Sequence, residues 1–104
     1  MKMKRKKLAG WREECAPFQR KVYEVLLQIP KGQVRTYAQV ARLAGNPKAA
    51  QAVGQALKCN RWAPKIPCHR VIASDGTLGG YSAPGGLAAK RRLLRQEEVR
   101  LLLS

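Results

Sequence analysis

The sequence predicts a mainly α-helical fold: a winged helix-turn-helix with a three-helix core, a small β-hairpin wing and a C-terminal helix. Apolar residues recur at helical spacing in several segments, and two short helices flank a Gly-containing break at 45–47. A turn signal at 74–77 lies between two short extended runs and predicts the wing. Because 104 residues fit one domain, we expect a basic tail over 1–12 and a folded domain over 13–104.

The first two helices have clear sequence signals. A helix is predicted from Pro17 to Gln28, where apolar residues fall on one face. Thr36, with Gln39 three residues later, forms a capping-box pattern. This pattern predicts a short helix through about Leu43, with Val40 and Leu43 facing inward.

A second short helix is predicted from about Lys48 to Lys58, with Asn46 as its cap. Val53 and Leu57, four residues apart, anchor it to the core. Its other residues are small and nearly uncharged, which fits either close packing on a neighbour or entry into the narrow minor groove of DNA. We favour the DNA-facing interpretation because basic residues flank the helix: Lys48, Lys58 and Arg61.

The rest of the chain completes the predicted domain. Val71 to Ala73 is predicted to be extended, and 78–81 returns as the second strand of the wing. A last helix is predicted from Leu87 to about Glu97. Its apolar positions are Leu87, Leu93 and Leu94, and its basic positions are Lys90, Arg91, Arg92 and Arg95. The apolar end at 99–103 is expected to dock on the core.

The charge balance predicts a polyanionic partner. Lys and Arg number 21 against 6 Asp and Glu, for a net charge of +15, and phosphate contacts would make binding salt-dependent. An acidic membrane is the rival partner, but no segment shows the amphipathic pattern that it needs. The odd count of cysteines, with no apolar run after the basic start, predicts a reducing intracellular compartment, cytoplasmic or nuclear.

Cys68 is the strongest candidate for chemistry, because it precedes the only histidine of the chain, His69. Both His69 and Arg70 are expected to lower the pKa of this thiol. Since neighbouring residues on a strand point to opposite faces, a Cys–His contact needs a turn, which Pro67 favours, or a bridging water. Glu97 or Glu98 is the candidate acid that orients the imidazole.

Three other interpretations of Cys68 remain open at this point. It can be an inert buried thiol, the usual role of cysteine. It can bind zinc with Cys15, Cys59 and His69, although these lack the paired spacing of structural zinc sites. It can be the nucleophile of a thiol hydrolase, although so short a chain offers little room for a substrate cleft. We therefore expect no metal and no cofactor.

Several motifs together resemble one family, the O6-alkylguanine-DNA alkyltransferases, also called methylated-DNA–protein-cysteine methyltransferases. The resemblance spans about 17–97 and rests on motifs at 29–37, 44–50, 52–57, 67–71 and 85–90. It implies DNA repair by a single transfer of an alkyl group from O6 of guanine to Cys68, in a monomer that approaches double-stranded DNA from the minor groove and flips the damaged base.

The resemblance also implies roles for individual residues. Cys68 is the nucleophile, His69 deprotonates it through a water, and Glu97 orients His69. Asn60 ties the recognition helix to the active-site turn, and Tyr37 helps protonate the leaving guanine. The pocket residues are Pro67, Val71, Tyr81 and Ser82. The DNA-contacting residues are Thr36, Lys48, Ala49, Ala50, Gln51, Ala52, Gly54 and Arg61.

Position 51 departs from the family pattern, since Gln51 stands where an arginine usually fills the gap left by the flipped base. Either Gln51 or Arg61 would take that place. The resemblance leaves one alternative of a different class, a non-catalytic alkyltransferase-like protein that binds alkylated DNA and flags it. A plain winged-helix regulator is a further alternative, in which Cys68 and His69 are incidental.

Overall fold

The computed structural model describes residues 10–81, 83 and 85–99. The predicted tail up to residue 9, the pocket residue Ser82 and the docking segment beyond residue 99 lie outside the described residues. The helices are α1 (Trp11–Glu14), α2 (Pro17–Leu27), α3 (Tyr37–Leu43), α4 (Ala50–Lys58) and α5 (Gly86–Gln96), with a 3-10 turn at Cys68–Arg70 and two short strands, β1 (Arg35–Thr36) and β2 (Val71–Ile72). The predicted mainly helical fold is confirmed.

Helix α2 lies at the centre of the core. Its Val22, Tyr23 and Leu26 are fully buried, and the Tyr23 hydroxyl donates to the Ala56 carbonyl oxygen over 2.7 Å, which joins α2 to α4. Trp11, which the sequence interpretation placed in the tail, is 3% exposed. Its ring centroid lies 5.8 Å from that of Tyr23, so the folded part already includes α1.

Helix α3 begins with the predicted capping box. Thr36 Oγ1 accepts from the backbone N–H of Gln39 over 3.0 Å, and Gln39 Oε1 accepts from that of Thr36 over 2.8 Å. Val40 is buried as predicted, but Leu43 is 59% exposed, so its predicted inward orientation is wrong. The buried face is formed by 40, 41 and 44, and Leu43 projects roughly 100° from its centre.

Helix α4 begins at Ala50, two residues after its predicted start. Asn46 Oδ1 accepts from the backbone N–H of Lys48 over 3.3 Å, so its side chain stabilises the turn between α3 and α4 rather than the helix itself. Ala49 occupies the N-cap, where it offers no side-chain acceptor. The anchoring prediction is confirmed, since Val53 is fully buried and Leu57 packs against the core.

The predicted β-hairpin is wrong. Strand β2 pairs in parallel with β1, in the register Arg35 with Val71 and Thr36 with Ile72, and 78–81 forms no strand within the described ranges. Both residues of β2 are buried, whereas a hairpin with one solvated face would alternate buried and exposed residues. The turn itself forms, because Ala73 N–H donates to the Thr77 carbonyl over 3.1 Å.

Helix α5 packs on the 3-10 turn through a face that includes a lysine. Ala89, Lys90 and Leu94 are buried, whereas Leu87 is 46% exposed. The predicted apolar face is therefore displaced by part of a turn, and Lys90 belongs to it. In the part of the chain that the structure describes, helices are too short and too polar to cross a membrane.

Candidate active site

Cys68 lies at the start of the 3-10 turn, after the buried residues Ile66 and Pro67. Its side chain is nearly enclosed, with 4% of the residue exposed, and it contributes to the wall of a cavity of about 210 Å³. The other lining residues are Tyr37, Gly54, Leu57, Lys58, Gly80 and Tyr81. The turn predicted from the Cys–His sequence is therefore present, and it places the thiol in a small cavity.

The imidazole of His69 is paired with one carboxylate. Its Nε2 lies 2.9 Å from Oε2 of Glu97, whereas Glu98, the other candidate acid, is exposed. Burial lowers the pKa of His69, and the hydrogen bond and charge of Glu97 only partly offset that effect. A neutral imidazole that donates from Nε2 keeps a lone pair on Nδ1, and Nδ1 has no hydrogen-bond partner among the described residues.

Arg70 does not act on the thiol as expected. Its guanidinium binds Glu97 instead: Nε donates to Oε1 and Nη2 donates to Oε2, both over 2.9 Å. Its Nη1 donates to the carbonyl oxygen of Ile29 over 2.8 Å. Because successive residues of a 3-10 turn project about 120° apart, Arg70 and Cys68 point in different directions. Burial opposes ionisation of Glu97, but Arg70 and His69 outweigh it and lower its pKa to about 2.

The electrostatics at Cys68 also differ from the expectation. Burial raises the pKa of the thiol, and hydrogen bonding with Asn60 and the charge of Lys90 only partly compensate. Asn60 holds the turn in place, because its Nδ2 donates to the Ile66 carbonyl over 2.8 Å and its Oδ1 accepts from Trp62 N–H over 2.9 Å. The free protein therefore holds a neutral thiol, which needs a base to become a nucleophile.

Lys90 is the site residue that sequence reasoning missed. It is fully buried, and its Nζ donates to the carbonyl oxygens of Val71 (2.8 Å), Gly80 (2.9 Å) and Leu78. A signal for its position was present, because Lys90 precedes the buried Leu94 by one helical turn. In the sequence, its charge places it with the basic positions of the predicted last helix.

One of the predicted pocket residues, Tyr81, lines the same cavity, whereas Pro67 and Val71 are not in its lining. Tyr37 also lines it, and the Tyr37 hydroxyl accepts from Gly80 N–H over 3.3 Å. Val71 and Pro67 are buried and directly flank the turn that carries Cys68.

The predicted DNA-contacting residues lie mainly on α4. Gln51 and Ala52 are exposed, Ala49 and Ala50 are half-buried at the start of the helix, and Gly54 lines the cavity. The small face of α4 thus ends at the cavity that holds the thiol.

The other predicted DNA contacts are more dispersed. Lys48 is exposed, and Thr36 uses its side chain in the capping box. Arg61 lies 3.3 Å from Glu14 in an exposed ion pair, and its guanidinium is 5.4 Å from the ring centroid of Trp62.

The burial of Cys68, with 4% of the residue exposed, fits an inert thiol as well as a nucleophile in a closed cavity. Cys15 is buried and Cys59 is exposed, and within the described ranges no three Cys, His, Asp or Glu residues converge as a metal site. A larger cavity of about 650 Å³ lies between α2, β1 and α3 and is lined by residues that include no cysteine or histidine. The nucleophile candidate is therefore confined to the smaller cavity.

Fold and site together define a class: a small helical domain with a candidate cysteine nucleophile in a cavity beside a histidine–glutamate pair. Residues 17–99 match the family described as "6-O-methylguanine DNA methyltransferase, DNA binding domain". The chain belongs to this family, as the resemblance indicated.

Named relatives agree with this assignment. A Salmonella typhimurium (strain LT2) protein named "Methylated-DNA--protein-cysteine methyltransferase" is 50% identical over 86 residues, which cover 83% of this chain and 49% of the relative. The Homo sapiens protein of the same name is 53% identical over 85 residues, which cover 81% and 40%. The chain thus spans about half or less of the length of these curated relatives.

Two solved structures, of proteins with different names, are similar to this chain. Mycobacterium tuberculosis OGT in complex with DNA superposes with a TM-score of 0.77 at 45% identity, covering 81% of this chain and 50% of that one. S. pombe Atl1 in complex with damaged DNA containing O6-carboxymethylguanine gives a TM-score of 0.72 at 38% identity, covering 80% of this chain and 77% of that one.

Proposed function

We propose that this protein repairs DNA by transferring an alkyl group from O6 of guanine to its own Cys68, once per molecule. The observation that carries the proposal is the position of Cys68, whose thiol lines a small cavity beside the His69–Glu97 pair. The names of the relatives support methylated DNA as the substrate.

The proposed chemistry begins with the neutral thiol. Nδ1 of His69 accepts the proton of Cys68 through a water, while Glu97 stabilises the imidazolium that forms. The thiolate then attacks the alkyl carbon in line, so that an S–C bond forms as the C–O6 bond breaks and its electron pair passes to guanine. Tyr37 supplies a proton to the guanine, and the proton that left Cys68 balances it. The thioether has no easy route back, which ends the activity of that molecule.

The substrate must reach the thiol as a single extruded base. The cavity of about 210 Å³ is smaller than the roughly 300–1,000 Å³ of pockets for drug-sized ligands, and it suits one base rather than an intact base pair. Flipping is the route by which enzymes bring a stacked base into such a site. Tyr81, Ser82, Val71 and Pro67 form the proposed walls around the base.

In this proposal α4 enters the minor groove and delivers the damaged base to the cavity. The small residues Ala49, Ala50, Ala52 and Gly54 allow close approach, which the narrow groove requires. Gln51, exposed in the first turn of α4, occupies the space left by the flipped base. The proposed phosphate contacts are Thr36, Lys48 and Arg61. Helices α3 and α4 act as the helix-turn-helix, and no hairpin wing contributes within the described residues.

A mass measurement tests the proposal. Duplex DNA carrying O6-methylguanine is incubated with the protein, and a single mass increase of about 14 Da, one CH2 group, is expected on Cys68. Cys68→Ala should give no adduct while it still binds the lesion DNA. Cys59→Ala is the matched control, because it removes an exposed thiol and should leave the adduct unchanged. Methyl removal by Cys68→Ala would show that the mechanism is wrong.

A second candidate function is lesion binding without transfer. The similarity to S. pombe Atl1, of which the chain covers 77%, supports it. Tight binding of O6-alkylguanine DNA with no adduct on Cys68 would favour this function. Equal affinity for damaged and undamaged DNA would favour a plain DNA-binding regulator instead.

A further inference from the structure

The ammonium of Lys90 is a buried charge that the proposed chemistry does not use. Its three donors are all directed at backbone carbonyl oxygens, one in β2 and two in the segment 78–80. A lysine ammonium has three donors and no acceptor, so these bonds satisfy the group completely. The free-energy cost of removing the ammonium from water is thus offset by the dipoles of these carbonyl groups. No carboxylate within the described residues pairs with Lys90.

Backbone carbonyl groups, rather than a carboxylate, bind the ammonium. Its positive charge is therefore not cancelled by an acid and acts on the neighbouring titratable groups. Those neighbours are Cys68 and His69, and the positive charge of Lys90 lowers the pKa of both. Burial in turn lowers the pKa of Lys90 to about 8, an effect that the charge of Cys68 opposes. At neutral pH the side chain is therefore an ammonium, and it acts on the thiol as a fixed cation.

The same ammonium holds part of the cavity wall. Gly80 and Tyr81 line the cavity, and the segment 78–80 lies between Lys90 on one side and Tyr37 on the other. The approach on the Tyr37 side is close, since a Cβ on Gly79 would lie 2.8 Å from the Tyr37 hydroxyl. Without the ammonium, the carbonyl groups that converge on Nζ would face one another unpaired.

We propose that Lys90 is a positioning residue of the alkyl-transfer site, which tethers the segment 78–80 to β2 and presents a fixed positive charge that favours the Cys68 thiolate. This role rests on the proposed function of Cys68. It is nevertheless testable without DNA, because thiolate formation and tethering are both properties of the free protein.

The first test measures thiol reactivity in a Cys59→Ser background, which removes the exposed cysteine. Lys90→Met keeps most of the length of the side chain and removes its charge. We expect the rate of Cys68 alkylation by iodoacetamide at pH 7, where Lys90 is charged, to fall about tenfold, and methyl transfer at the same pH to slow at least about tenfold. Lys21→Met, at an exposed lysine on α2, is the control and should change neither. An unchanged alkylation rate in folded Lys90→Met overturns the charge effect.

A second measurement tests whether Lys90 tethers the segment 78–80. Amide hydrogen exchange at Gly80 should accelerate at least about tenfold in Lys90→Met, because the segment loses its anchor. Equal exchange rates in the two proteins would overturn the tether. Loss of methyl transfer in the parent protein, with the expected iodoacetamide rates intact, would instead contradict the proposed function and leave the role of Lys90 standing.

Rescue by a free amine separates positioning from simple packing. Lys90→Ala leaves space for propylammonium, which replaces the missing methylenes and the charge. Added propylammonium should restore the alkylation rate of Cys68 at pH 7, whereas propanol, which fills the same space without charge, should not. Equal rescue by both compounds would show that Lys90 acts only by filling space.

A measurement on the unmutated protein covers the case in which these variants do not fold. With 15N-labelled lysine, the Lys90 ammonium should give a slowly exchanging NMR signal because all three donors are bonded. The pH at which that signal titrates should fall when Cys68 is alkylated by iodoacetamide, since a thioether cannot become the thiolate that favours the ammonium. A titration of Lys90 that does not respond to Cys68 alkylation overturns the electrostatic part of the proposal.

Discussion

Glu97→Gln removes one negative charge from between Arg70 and His69, and we expect it to destabilise the protein in a pH-dependent way. In the folded protein the pKa of Glu97 is about 2, against an ordinary value of 4.5. That difference corresponds to about 3 kcal/mol of folding free energy. The side chain is only 10% exposed, so solvent screens this contribution little. The magnitude agrees with the roughly 3–5 kcal/mol lost when one partner of a buried pair is removed.

The sign of the pH dependence follows from the lowered pKa. The contribution of Glu97 is fully present above its unfolded pKa of 4.5 and is lost as the pH falls towards 2. The free-energy difference between the parent protein and Glu97→Gln should therefore shrink from about 3 kcal/mol at pH 7 to about 1.4 kcal/mol at pH 3. Urea unfolding followed by far-UV circular dichroism, at several pH values, measures this difference.

The adjacent glutamate provides a matched control. Glu98 is exposed, and Glu98→Gln should change stability by no more than about 0.5 kcal/mol at any pH. Two results would refute the reasoning: a Glu97→Gln effect no larger than that of Glu98→Gln, or a large effect that stays constant between pH 7 and pH 3. The second result would mean that the loss comes from packing rather than from the ionised carboxylate.

Three further substitutions test other parts of the site. Gly79→Ala should destabilise the protein in urea unfolding by about 1–3 kcal/mol, because φ is +70° and the new Cβ would meet the Tyr37 hydroxyl; Gly45→Ala, at φ +97° with open space, isolates the backbone part. Tyr37→Phe should slow single-turnover methyl transfer at least about tenfold without changing the unfolding midpoint, and an unchanged rate would exclude it as a proton donor. Gln51→Arg should tighten binding to lesion DNA in fluorescence anisotropy and steepen the salt dependence by about one counterion; an unchanged slope would place residue 51 away from phosphates.

Local signals predicted local structure well. The Thr36 capping box and the apolar face of α2 depend on residues within a few positions of each other, and both formed as expected. The hairpin failed because strand pairing is a long-range choice. The extended residues of β2 pair with a strand more than thirty residues earlier, and local turn signals carry no information about that partner.

The same difference between local and long-range information applies to the site. The nucleophile and its histidine are adjacent in sequence; the residues offered Glu97 or Glu98 as the acid, and the resemblance selected Glu97 and added Asn60. The directions of the charged side chains could not be predicted, because the sequence shows only that Arg70 and Lys90 are basic. Which of them faces the thiol depends on the 120° steps of the 3-10 turn and on how α5 is rotated against it. Arg70, which was expected to act on the thiol, holds Glu97 instead, and it is the charge of Lys90 that lowers the pKa of Cys68.

The separation of 28 positions between His69 and Glu97 in the sequence has a consequence for the newly synthesised chain. A ribosome completes the cysteine, the histidine and α4 before it reaches the glutamate that follows α5. Until α5 docks, His69 has no carboxylate to support its protonated form, and Cys68 has no Lys90 beside it. The emerging polypeptide therefore carries an unassisted thiol, and the reactive protein is assembled only as the last described helix folds. During that period the thiol has the ionisation of an ordinary exposed cysteine, because neither burial nor the charge of Lys90 yet acts on it.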